Sequence, residues 1–68
     1  MLKVPLCTLE IARFNALYTG IPQHIYIGGA IYSIIPDGYT VPASLVKCCT
    51  VDREGHDDCT QTDEHTIP

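Results

Sequence analysis

The chain has 68 residues, four cysteines and a net charge of −4, and 46% of it is hydrophobic. That length permits one domain and a core that by itself supplies only about 3–5 kcal/mol of net stability, so disulfides, a metal or association with other chains are expected to supplement it. The absence of a basic cluster argues against neutralising phosphates, and hence against a nucleic-acid partner.

The amino terminus reads as a chain without a secretory signal. Lys3 is followed by no continuous apolar region before Glu10 and Arg13. The expected location is therefore a virion or other large assembly, with secretion as the alternative. A chain that stays where it is made sits in a reducing setting in most cells, where stable disulfides are unexpected, whereas a virion or a mature secreted fragment relaxes that constraint.

Residues 8–19 predict a short helix. Thr8 suits the N-cap, Glu10 the first turn and Gly20 the C-terminal cap, while Pro22 forbids continuation. At helical spacing Cys7, Ile11, Phe14 and Tyr18 share one face, and Leu9, Ala12 and Ala16 lie nearly opposite. A helix apolar on two sides predicts burial on both, which a monomer this small can hardly provide.

Residues 23–35 predict two strands or one bulged strand. Gln23 to Ile27 and Ala30 to Ile35 are rich in isoleucine and tyrosine, and Gly28-Gly29 between them suits a hairpin turn or a bulge. Neither side of the resulting sheet is strongly polar, so cover is expected on both faces. The densest apolar run, Ile25 to Ile35, falls well short of the ~20 residues of a membrane helix. No membrane partner is expected.

Pro36-Asp37-Gly38 is a turn signal, because proline presets φ and Asp-Gly tolerates positive φ. A strand over Tyr39 to Val41 is expected next, interrupted by Pro42. Leu45 to Val51 is read as a further strand. The fold class is thus small α+β: one helix, a small antiparallel sheet and an extended acidic tail.

Composition divides the chain into an apolar body, 1–51, and a polar tail, 52–68. In the body Lys3, Arg13 and Lys47 against Glu10 and Asp37 leave +1. In the tail Arg53 against Asp52, Glu54, Asp57, Asp58, Asp63 and Glu64 leaves −5. Only Cys59 and Ile67 are apolar there. Alone, such a segment is expected to be disordered, with Asp57 and Asp58 solvated. Cys59 is the expected anchor if it is tied down, though a partner surface or a metal would serve as well.

The cysteines carry the main chemical content. As disulfides, Cys59 pairs with Cys48 or Cys49 and closes a loop of about ten residues, worth roughly 2–3 kcal/mol in a chain-entropy treatment. Cys7 takes the remaining one. Adjacent strand residues point to opposite faces, so Cys48 and Cys49 suit different partners. The three connectivities stay open.

As metal ligands, Cys48, Cys49, His56 and Cys59 suit tetrahedral zinc, and four cysteines suit an iron–sulfur cluster, but the spacing matches neither pattern. As free thiols they are small apolar residues. The expectation is no cofactor.

Catalysis finds little support. A Cys59–His56 nucleophile pair lacks a substrate pocket and oxyanion donors. Asp52, Glu54, Asp57 and Asp58 around Gly55 lack the spacing and closing glutamate of a calcium loop. Gly28-Gly29 lacks the flanks of a phosphate loop.

Tyr18, Tyr26, Tyr32 and Tyr39 are read either as sheet packing or, with Leu9 and Phe14, as contacts with other chains.

The stretch Ile25-Tyr-Ile-Gly-Gly-Ala-Ile-Tyr32 through Tyr39-Thr-Val-Pro-Ala-Ser-Leu-Val46 covers about a third of the chain. It resembles the short head, neck and tail accessory proteins of tailed bacteriophages: an aromatic strand, a glycine turn, a second strand and a Val-Pro step. The charged residues that punctuate those proteins are missing here.

The expectation that results is a non-enzymatic structural subunit of a larger assembly, above all a virion. Its partners would be other protein chains, copies of itself included. The alternatives are a secreted disulfide-stapled binder, inhibitor or toxin-like, and a small zinc or iron–sulfur module.

Overall fold

A computed structural model describes residues 3–61. Its elements, in chain order, are β1 (Lys3–Val4), α1 (Leu6–Thr19), β2 (Gln23–Gly28), β3 (Ile31–Pro36), β4 (Val46–Val51) and β5 (Thr60–Gln61). The class is small α+β, with one helix laid across a three-stranded antiparallel sheet.

The helix begins two residues before the expected start. Pro5, at φ −59° and ψ 144°, occupies the N-cap, and its carbonyl accepts from the Leu9 amide at 3.1 Å. Proline presets the backbone for entry into a helix and has no amide to leave unsatisfied. Thr8 therefore sits inside the first turn, and Glu10 lies beyond it. The other end is as expected. Gly20 adopts φ 72° and its amide donates to the Ala16 carbonyl at 2.9 Å.

The sheet order is β3-β2-β4, with both neighbours antiparallel to β2. The hairpin turn falls one residue later than the glycine pair suggests. Gly28 pairs with Ile31, and Gly29-Ala30 form the loop. Gly29 has φ 62° and Ala30 does not have positive φ, the requirement of a type II′ turn. Leu45 packs over Gly28: a Cβ there would meet Leu45 Cδ2 at 2.5 Å, so that side chain would have to turn aside.

The strand expected at Tyr39 to Val41 does not form. Its residues belong to the connection 37–45, which carries the chain past β2 to the opposite edge of the sheet. Gly38 takes φ 92°, and Pro42 has no amide for a ladder. The strand read over Leu45 to Val51 does form, as β4. It carries a bulge between its pairings with Ile25 and Tyr26, where Cys48 is the extra residue.

The core lies between α1 and one face of the sheet. Val4, Leu9, Ala12, Ala16, Ile25, Cys49 and Val51 are buried, and Tyr32, Ile34, Cys48 and Cys59 pack against them. Gln23 is the buried polar residue, and its Nε2 donates to the Ile21 carbonyl at 2.9 Å. This answers which side of the amphipathic ambiguity turns inward. The small face, Leu9, Ala12 and Ala16, packs on the sheet, because alanines let the helix approach closely.

The start of the polar segment is folded onto this body. Val51 bridges Asp57, and β5 runs parallel to β1 with Lys3 opposite Thr60 and Val4 opposite Gln61. The expectations for residues 62–68 fall outside the described residues.

Candidate functional site

Two features stand out from the packed framework: the outer face of α1 and the stapled loop after β4.

The outer helix face is large and apolar, and among the described residues nothing covers it. Ile11 is 55% exposed, Phe14 65%, Leu17 57% and Tyr18 80%, with Ile21 just beyond the helix. Cys7 is an exposed free thiol on the same stripe. Phe14 and Tyr18 stack at 5.8 Å between centroids and 13° between planes, four residues apart on the helix. Monomers rarely expose contiguous apolar patches of more than a few hundred Å².

The expected contact residues sort unequally. Phe14, Tyr18 and Tyr39 are exposed. Leu9 is fully buried and belongs to the chain's own core, because it lies on the inner helix face. Tyr32 also turns inward, and its hydroxyl donates to the Lys3 carbonyl at 2.8 Å. Tyr26 is half-buried on the outer sheet face, beside His24 at 6.4 Å between ring centroids.

The loop after β4 is closed by a disulfide between Cys49 and Cys59, with Cα atoms 5.0 Å apart. The expected second pairing, Cys7 with the remaining cysteine, does not form: Cys7 and Cys48 are free. The bulge removes the strict alternation of neighbouring side chains, so Cys48 packs beside the core. Burial pushes its thiol up.

Inside the loop the carboxylates serve the backbone. Asp52 Oδ1 accepts from the Glu54 and His56 amides, both at 2.9 Å. Asp57 Oδ1 accepts from the Cys59 amide at 2.9 Å, and Asp58 Oδ1 from the Thr50 amide at 2.9 Å. Asp57 and Asp58 are thus structural acceptors, and Asp57 is only 15% exposed. Short acidic side chains that satisfy nearby amides favour this kind of compact turn.

Arg13 ties the loop to the helix. Its Nη2 donates to Asp57 Oδ2 at 3.0 Å and its Nε to the Gly55 carbonyl at 3.3 Å. Nothing in the local sequence announces this contact across 44 positions. The available signal was that Arg13 is one of two charges, with Glu10, on a largely apolar helix. Arg13→Ala is expected to cost about 1–2 kcal/mol, the worth of a partly exposed charge-assisted pair plus a carbonyl bond. Urea denaturation of the two proteins checks it.

The Asp52 carboxyl is held below its ordinary value of 3.8, chiefly by the hydrogen bond from the His56 amide. A carboxylate lowered in this way favours the folded loop at pH above 3.8, and that contribution is lost as pH falls through the lowered value. The Glu54 and His56 amide resonances are therefore expected to titrate together in acid, with a midpoint below 3.8. NMR titration measures this, and Asp52→Asn should abolish the joint transition.

The metal set of Cys48, Cys49, His56 and Cys59 is not assembled. Among the described residues no donor group unites the four, and Cys49 and Cys59 have no free thiolates while joined to each other. His56 instead lies with Asp52 and Glu54 in an exposed group, at 3.9 and 4.0 Å. The Cys59–His56 nucleophile pair fails for the same reason.

The sequence reading missed His24. Its Nε2 meets Asp37 Oδ1 at 2.8 Å and its Nδ1 meets Thr50 Oγ1 at 2.8 Å. With a neutral ring, Nε2–H donates to Asp37 and Nδ1 accepts from the Thr50 hydroxyl. The order Asp-His-Thr has the outline of a hydrolytic triad. Its surroundings oppose that chemistry. Thr50 opens onto a shallow depression lined by Asp52, His56, Asp57 and Asp58, and the Thr50 amide is already taken by Asp58. A developing oxyanion would meet the carboxylates of Asp52, Asp57 and Asp58, with the exposed His56 ring as the one lining side chain besides Thr50 able to donate. The trio ties β2, β4 and the turn after β3 together.

No family model, curated protein or solved structure matches this chain. Among the described residues, no helix is long and apolar enough to cross a membrane.

Proposed function

We propose that this protein is a non-enzymatic interaction subunit, joined to a larger protein assembly through the outer face of α1. The observation that carries the reading is the exposed run of Ile11, Phe14, Leu17 and Tyr18 on a helix whose other face is already packed. Such a surface gains stability by being covered. The depression at Thr50 supports the same reading, since three of its five lining residues are aspartates and oppose a developing oxyanion. A virion is the assembly placed first, on the bacteriophage-like stretch 25–46.

The Cys49–Cys59 disulfide favours a second reading, a secreted stapled binding module. Both readings use the same helix face. They differ in whether the chain stands alone as a stable monomer.

Native mass spectrometry of the protein isolated from its natural source, alkylated without reductant, tests the proposal. The expected result is a complex with other protein chains, two alkylated cysteines and no metal. A free monomer with a stoichiometric metal would overturn it, and so would a free monomer that no protein chain accompanies.

A further inference from the structure

We infer that the occupant of the outer helix face is a second copy of this chain, packed helix against helix in antiparallel orientation about a twofold axis. The inference rests on the proposed interaction role and names the partner.

The first support is spacing. Cys7, Ile11, Phe14 and Tyr18 are separated by four, three and four residues. That alternation is the d-a-d-a seam of a heptad. It also reads the same in both directions. Reversing one helix therefore places Ile11 level with Phe14 of the second copy, and Cys7 level with Tyr18 of the second copy. All four positions are matched at once, as a twofold interface requires of a single surface patch. Knobs at these positions meet a facing groove only if the partner carries the same rhythm, and this chain does.

The second support is charge. No ionised side chain lies on the seam. Arg13 is turned away into its pair with Asp57. Glu10 flanks the seam and in this register lies level with Asn15 of the second copy, so like charges do not meet. Glu10, at the same heptad position as Leu17, is the charge that borders this face, so a partner chosen by charge would find little to read here. Opposed helix dipoles add a favourable contribution in the antiparallel arrangement.

The third support is area. The exposed parts of Ile11, Phe14, Leu17, Tyr18 and Ile21 amount to roughly 600 Å², taking ~150–250 Å² for a fully buried aromatic side chain. Two copies would then bury at most about 1,200 Å², which reaches the lower end of the range for stable, specific interfaces. The helix is anchored from behind by Leu9, Ala12 and Ala16, so the face is presented without unfolding anything.

Sedimentation equilibrium of the purified, oxidised chain across the micromolar range is the first arm of the test. A monomer–dimer equilibrium is expected. Phe14→Glu, which would place an unpaired charge at the centre of the seam, should weaken the dimer at least ~100-fold. Because Phe14 is mostly exposed in the single chain, this variant should keep the native circular dichroism and the Cys49–Cys59 disulfide.

The second arm reads the register. Tyr18→Cys, mildly oxidised, should give a covalent dimer through Cys7 of one copy and the new thiol of the other, whereas the wild-type chain should not crosslink through Cys7. A wild-type Cys7–Cys7 crosslink at the same concentration would overturn the antiparallel register. A monomer at every concentration would overturn self-association. If the native complex then contains a foreign chain on this face, the interaction role stands and only the identity of the partner falls.

Discussion

Cys59→Ser is expected to lower the stability of this protein by about 2–3 kcal/mol, the chain-entropy worth of a loop of about ten residues. In a domain of this size the whole margin is about 3–5 kcal/mol, so the loss is most of it. It corresponds to a fall in Tm of roughly 10–20 °C. The consequence is also local. Cys59 leads directly into β5, whose pairing with β1 holds the amino terminus, and the adjacent Val4 is fully buried. Without the staple that pairing should open first. Thermal unfolding followed by circular dichroism, with the reduced wild-type chain as a second comparison, measures the effect. Cys7→Ser should change stability by no more than about 0.5 kcal/mol, because it removes an exposed thiol that makes no bond. Equal Tm values for wild type and Cys59→Ser would mean that the loop is held by Arg13 and the aspartates alone.

The second large effect separates the two faces of α1. Leu9→Ala is expected to cost about 2–5 kcal/mol, since the side chain is fully buried between helix and sheet and its removal leaves a cavity. Phe14→Ala, on the same helix, should cost no more than about 0.5 kcal/mol in the isolated monomer, because most of the ring already faces solvent. Urea denaturation at protein concentrations too low for association compares them. At high concentration the ranking should narrow, as any partner that covers Phe14 adds its binding energy to the folded state. A larger cost for Phe14→Ala than for Leu9→Ala at low concentration would mean that the larger face of the helix is the buried one.

This contrast marks how far the sequence could be read. Its spacing showed two apolar faces on one helix, Cys7 through Tyr18 and Leu9 through Ala16. It expected both to be buried, and the described residues cover only one. Hydrophobicity alone points to the larger face. Close packing on a twisted sheet chose the face with two alanines instead, leaving Phe14 and Tyr18 outside. Leu9, read as a partner contact, is core for that reason.

The cysteine pattern was legible in part. A pairing from Cys59 back to Cys48 or Cys49 was one of the three readings the sequence left open, beside a metal site and free thiols, and spacing did not choose between the two partners. That choice was set by the bulge at Cys48, which depends on how β4 registers against Ile25 and Tyr26. The aspartates were read by composition as solvated. Composition carries no information about which amides lie within reach, and Asp52, Asp57 and Asp58 each accept from one or two of them.

What the sequence determined by itself was local. Gly20 ended the helix, Gly29 allowed the hairpin, β-branched runs made β2 and β3, and a short chain with a modest core called for a crosslink, a metal or a partner. These depend on the allowed φ angles and side-chain shapes of single residues and near neighbours. The tertiary structure decided everything that joins distant positions: Arg13 to Asp57, His24 to Thr50 and Asp37, Cys49 to Cys59, and the inward face of α1. Those contacts exist only once chain segments tens of residues apart are brought together, and no local preference encodes their geometry.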